Sequence, residues 1–175
     1  MIHGSIIITV FYFYEILVTR SSKEEISSLK GAMNHAFSMT DLGLLSQFWG
    51  LEISQSNIGI KVHQSKYVSY LLNKLKMKYF KPSKTPFLSG VKLEEAQSTP
   101  LVNNTLYRQL VGCLIYLTHT RTSIYYVVGV APIHMDQPHE IHCREAKIIL
   151  NFVQGTRTHA IHYLCMFSSN FCEFN

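Results

Sequence analysis

Residues 6–18 are almost uninterruptedly apolar, and how that run folds decides most of what the chain can be. A transmembrane helix needs about 20 such residues, and Glu15 cuts this run short. A secretory signal would carry Lys or Arg ahead of the run and small residues at a cleavage site. His3 is the sole candidate charge there, and no A-x-A follows. Neither a signal peptide nor a membrane-spanning helix is therefore expected; the protein is expected to be intracellular, its compartment left open. The run is rich in Ile, Val, Phe, Tyr and Thr, which predicts two buried strands around a tight turn near residues 13–15. Such strands need neighbours, so the chain is expected to begin in the middle of a sheet.

The 175 residues suit one or two small domains. At 47% hydrophobic and 15% charged, the chain can bury a core. A net charge of +5 favours a polyanionic partner without specifying one. Cys113, Cys143, Cys165 and Cys172 form no C-x-x-C pair, so they read as buried or incidental thiols of a reducing compartment.

Ser22 and Glu25 have the spacing of a capping box, and Ile26, Leu29, Met33 and Phe37 follow at helical spacing. A helix over 23–36 is predicted, its apolar stripe on the hairpin. Residues 47–54 read as a strand, 56–59 as a turn and 60–63 as a second strand. A helix near 64–77 would place Tyr67, Leu71, Leu72, Leu75 and Met77 on one side. Pro82, Pro86 and Pro100 mark an extended connector over 79–104. Three helices follow (105–118, 122–135 and 140–153), with Gly155 placed to end the last. Residues 160–175 begin like a strand and then lose pattern.

The order of these pieces resembles one family. Tyr12-Phe13-Tyr14-Glu15-Ile16-Leu17-Val18-Thr19 is similar to the Y-V-D-D-I-L-V/I-T segment of copia-type LTR retrotransposon reverse transcriptases. Met39-Thr40-Asp41-Leu42-Gly43 resembles its M-x-D-L-G, and Phe48-Trp49-Gly50-Leu51-Glu52-Ile53 its F-L-G-I-E-V/I. Gln64-Ser65-Lys66-Tyr67, Thr85-Pro86 and Tyr107-Arg108-Gln109-Leu110-Val111-Gly112 match further motifs in order. Thr120-Arg121 and Ile124 match T-R-P-D-I, with Thr122 and Ser123 in place of Pro-Asp. His142, Ala146-Lys147 and Gly155-Thr156 match the last motif. The resemblance covers about residues 5–165 and extends to copia-like remnants in plant mitochondrial DNA, so a plant source is expected.

The resemblance implies an α+β fold. Residues 1–78 would form a partial polymerase palm of antiparallel strands plus helix, with a primer-grip-like hairpin and a first thumb-like helix. The connector would follow, then a helical thumb- or connection-like region over 105–165 and a diverged tail over 166–175. The intact family directs DNA synthesis on RNA with two magnesium ions, held by the Y-x-D-D aspartates and an upstream palm strand. Here Tyr14 and Glu15 stand at the aspartate positions, and a phenol is neutral at pH 7. The upstream strand and the fingers would precede residue 1, and the ribonuclease H domain would start just past Tyr163, which the tail does not resemble. A catalytically inactive, truncated remnant is therefore expected, with no metal site and no cofactor of its own. Restoring Asp at 14 and 15 would not revive it, because the upstream ligand would still be missing.

The alternative is a domesticated, non-catalytic nucleic-acid-binding module. Phe48, Trp49 and Gly50 would shape the grip, or else form an ordinary hairpin with Trp49 in a core. Lys66, Lys74 and Arg108 would meet primer–template phosphates weakly. Lys76, Lys78, Lys81 and Lys84, interleaved with Tyr67, Tyr70 and Tyr79, would extend that stripe or form a solvated face. An active subunit completed in trans is disfavoured by Tyr14. His134, His139, His142 and Cys143 could suggest a metal, but they read as structural or exposed side chains. Apolar faces left by missing palm neighbours predict poor solubility or self-association through residues 5–19. No membrane partner is expected.

Overall fold

The computed structural model describes residues 7–19, 22–87 and 98–164. The expected connector between 88 and 97 and the tail beyond 164, with Cys165 and Cys172, lie outside the described residues. The architecture is α+β, with antiparallel strands and helices in two compact units: residues 1–62 with 162–175, and residues 63–161. No helix among the described residues is long and apolar enough to cross a membrane.

The first unit opens with strands β1 (Ile8–Tyr12) and β2 (Glu15–Thr19), paired antiparallel from Ile8 with Thr19 to Tyr12 with Glu15. The turn falls where the sequence predicts it. The strands are not buried as their composition predicts; their apolar faces are largely exposed, as expected of a hairpin without palm neighbours. Val18 is the buried residue of the pair, whereas Phe11 is 70% exposed. Alternation specifies two faces, but a two-stranded sheet can cover neither by itself.

Helix α1 (Lys23–Ala36) has the predicted bounds. Ile26 is buried and Leu29 and Met33 are half-buried, but Phe37 leaves the stripe because its backbone is already extended. The capping box does not form through Ser22. Its hydroxyl donates to the Glu24 carboxylate at 2.7 Å, and that bond holds the carboxyl below its usual value.

Strands β3 (Gln47–Phe48), β4 (Leu51–Ser56) and β5 (Gly59–His63) form a four-stranded sheet with β6 (Ile161–Leu164), in the order β3-β4-β5-β6. The strand expected over 47–54 is thus broken at Trp49-Gly50. Gly59 sits at φ +144°, and a Cβ there would collide with the Tyr163 carbonyl. Glycine is what lets β5 and β6 approach.

The second unit is helical: α2 (Ser65–Lys74), α3 (Asn104–Leu117), α4 (Tyr125–Val130) and α5 (Glu140–Gly155). Val68, Leu71, Leu72, Leu114, Leu117, Ile124, Leu150 and Val153 lie at its core, each at most 2% exposed. Helix α2 stops before Leu75, which is 37% exposed. The Lys76 amide bonds to the Asn73 carbonyl and the Met77 amide to the Leu72 carbonyl, with Lys76 at φ +55°. This is a Schellman stop with lysine in the position glycine usually takes, and it turns Met77 into the core.

The helix expected over 122–135 is interrupted. A 3-10 turn (Thr122–Ile124) precedes α4, and another (Ala131–His134) carries Pro132, which has no amide to continue an α-helix. Gly155 does not lie beyond the end of α5. It is the last helical residue, and a Cβ on it would come within 3.0 Å of the Pro82 Cβ. Its role is close approach.

Two buried polar residues lock these helices together. Gln64 donates to the Tyr116 carbonyl at 3.0 Å and accepts from the Thr120 hydroxyl at 2.7 Å. The Arg121 guanidinium is 3% exposed and donates to the carbonyls of Thr156 (2.6 Å) and Arg157 (3.2 Å), just past α5. Its positive charge suits the negative end of that helix.

Candidate catalytic turn and nucleic-acid surface

In the first unit the pairing of Tyr12 with Glu15 leaves Phe13 and Tyr14 as the two connecting residues. Phe13 adopts φ +46°, an uncommon conformation for an aromatic residue. Its side chain is 85% exposed and that of Tyr14 is 99% exposed. Glu15, also exposed, begins β2. A second tip repeats this plan. Phe48 pairs with Leu51 across Trp49 and Gly50, whose φ values of +52° and +73° are the positive pair that tight two-residue hairpins favour.

Both tips line one cleft of about 1080 Å³ with Lys30, Met33 and Asp41. The structure therefore brings Tyr14, Glu15, Phe48, Trp49 and Gly50 to a common site. Tyr12 packs between the tips, its ring centroid 4.4 Å from that of Trp49 and 4.6 Å from that of Phe13. Phe48 and Trp49 lie nearly parallel, 6.1 Å apart. Trp49 is half exposed, which removes the reading that placed it in a core.

Two carboxylates line the cleft, Glu15 and Asp41. Asp41 accepts from the Gly43 amide and from Lys30, both at 2.9 Å, and these bonds hold its carboxyl below the usual range. Among the described residues no three His, Cys, Asp or Glu are placed to hold a metal ion.

Of the histidines expected to be structural or exposed, His139 and His142 sit at the start of α5 and His134 ends the preceding 3-10 turn. His142 is buried, and its Nδ1 accepts the His139 amide at 3.0 Å. The His139 ring donates to the Thr99 carbonyl, and His134 stacks on His142 at 3.9 Å.

Charge is unevenly divided. Residues 63–161 carry twelve of the 16 Lys and Arg but five of the 11 Asp and Glu, a net of +7, leaving −2 on the other unit. Lys66, Lys74, Lys76, Lys78, Lys81 and Lys84 are all exposed. Lys74 lies over the Tyr70 ring at 5.8 Å, and Lys78 over Tyr79 at 5.6 Å. Arg108 is held by its own chain, donating to Asp136 at 2.9 Å and to the Met135 carbonyl at 3.2 Å. Sequence order could not reveal that tie, because Asp136 is 28 residues away.

Comparisons with known proteins point to one family. Residues 2–89 match the reverse transcriptase (RNA-dependent DNA polymerase) family. The chain is 32% identical to the retrovirus-related Pol polyprotein from transposon RE1 of Arabidopsis thaliana, over 90% of this chain and 11% of that protein. It is 33% identical to an uncharacterized mitochondrial protein of the same plant, over 87% of this chain and 63% of the other. A Pol polyprotein from transposon TNT 1-94 of Nicotiana tabacum is 30% identical over 87% of this chain and 12% of its own length. The chain thus spans about a tenth of these polyproteins and less than two thirds of the mitochondrial protein. No solved structure matches it. With the motifs in family order and nearly the whole chain aligned, this protein belongs to the copia-type reverse transcriptase family.

Proposed function

We propose that this chain is a non-catalytic member of its family, unable by itself to extend a primer. The carrying observation is the tip of the first hairpin, where the fully exposed Tyr14 phenol stands at an aspartate position. Magnesium demands hard oxygen ligands in near-octahedral geometry. The turn supplies one carboxylate, Glu15, and the cleft's other carboxylate, Asp41, is engaged by Lys30. This donor set does not fit a two-metal site. The test is incorporation of labelled dTTP on a poly(rA)–oligo(dT) primer–template with magnesium or manganese. The expected result is no incorporation above that of heat-denatured protein. Incorporation that Glu15→Ala abolishes would overturn the proposal.

A second, compatible reading is a module that holds nucleic acid without reacting it. The segregation of positive charge onto residues 63–161 favours it. Phosphate contacts release counterions, so affinity should fall steeply as salt rises. Fluorescence anisotropy with a labelled primer–template at several salt concentrations tests this, and no binding by folded protein would sink it.

A further inference from the structure

We propose that the exposed face formed by residues 70–84 takes single-stranded nucleic acid, phosphates on its lysines and unpaired bases on its aromatic rings; this rests on the nucleic-acid reading above.

The argument begins with how the segment is held. From residue 73 to 82 every side chain is exposed except that of Met77, which is buried in the core. Beyond Met77 the strap is tied to α5. Gln154 donates to the Lys78 carbonyl at 2.7 Å, the Ser83 amide donates to the Asn151 carbonyl at 3.2 Å, and Gly155 leaves room for Pro82. One buried anchor and main-chain ties fix the backbone, so the flanking side chains are presented outward at little further entropic cost on binding.

What is presented has two parts. The first is positive charge with no acid near it in sequence, since no Asp or Glu occurs between Glu52 and Glu94. The second is aromatic surface: Tyr79 is 90% exposed, Tyr70 57% and Phe80 56%. A duplex could use the lysines alone, because its bases already stack on one another. An unpaired strand offers free base faces, and lysines interleaved with exposed rings are the combination that such strands use. The Lys74–Tyr70 and Lys78–Tyr79 pairs place an ammonium beside a ring twice, so one nucleotide can meet both.

The experiment is anisotropy of the full chain with labelled oligothymidylate and oligouridylate of about 20 nucleotides, against a blunt duplex of equal length. Single strands of either sugar should bind about tenfold or more tightly than the duplex at equal salt. Tyr79→Ser with Phe80→Ser should erase that preference while leaving the salt slope unchanged. Lys78→Gln, Lys81→Gln and Lys84→Gln together should lower the slope by about 2. Circular dichroism melts check that these surface variants remain folded. Equal or tighter duplex binding, or indifference to the aromatic changes, would overturn this proposal and leave the broader reading standing. Failure of every nucleic acid to bind would sink both.

Discussion

The helical unit and the strand-rich unit spend similar apolar content very differently. The helices gather twelve buried residues into one cluster, from Val68 to Val153. Among the described residues of the other unit, Val18, Ile26 and Ile60 are the buried apolar side chains, while Phe11, Phe13, Tyr14 and Leu42 are each at least 70% exposed. The lesson is that apolar pattern makes a core only when a second layer is present to receive it. Residues 63–161 contain their own second layer.

The strongest way to break this comparison is to empty one site in each unit. Leu150→Ala, at a position with no exposure, should cost about 2–5 kcal/mol by urea melt and lower protection across all four helices. Val18→Ala should cost roughly 1–2 kcal/mol at most and alter amide exchange in residues 7–62 alone. Equal costs, or a Val18 effect on the helices, would show a single cooperative core. Next in size is Gly59→Ala. The colliding atom is backbone and cannot swing aside, so β6 should detach from β5, a local cost of about 1–3 kcal/mol. Faster exchange at both strands with unchanged helices is the expected readout, and undisturbed strands would refute the close approach.

The smallest effect concerns pH and sharpens the account of the helical unit. Burial first, and His139 second, hold the His134 imidazole below the ordinary histidine value of about 6.5. The unfolded chain then binds the proton more readily, so helical stability should be level above about pH 6.5 and fall as pH drops below it. His134→Gln should flatten that decline, and an unchanged pH profile would remove His134 as its source.

Much of this was legible in the residues. The turn at Phe13-Tyr14 and the helix over 23–36 follow from local pattern and turn chemistry, whereas the Trp49-Gly50 reversal is legible only through the primer-grip resemblance, because the pattern over 47–54 reads as one strand. The aromatic departures at 13, 14 and 49 stand out against the family motif, though their gathering around Tyr12 depends on tertiary pairing. What escaped were properties set by distant partners. Periodicity placed Met77 in the α2 stripe, but a lysine in the left-handed region ended the helix first. Gly155 has the identity of a helix stop, yet Pro82 dictates its use. Exposure of β1 could not be read from alternation, which says nothing about what lies above a strand; the expectation of it comes from the palm neighbours that the resemblance leaves out.

Arg121 has a consequence for how this chain tolerates sequence drift. Thr122 and Ser123 stand where the family carries Pro-Asp, yet the arginine remains buried and bonded. Its acceptors at 156 and 157 include two main-chain carbonyls. A carboxylate partner can be lost by one codon change, whereas a carbonyl survives replacement of the residue that bears it. The tie between the α3–α4 junction and the end of α5 therefore depends on the identity of one residue rather than two, and mutation has half as many ways to cut it.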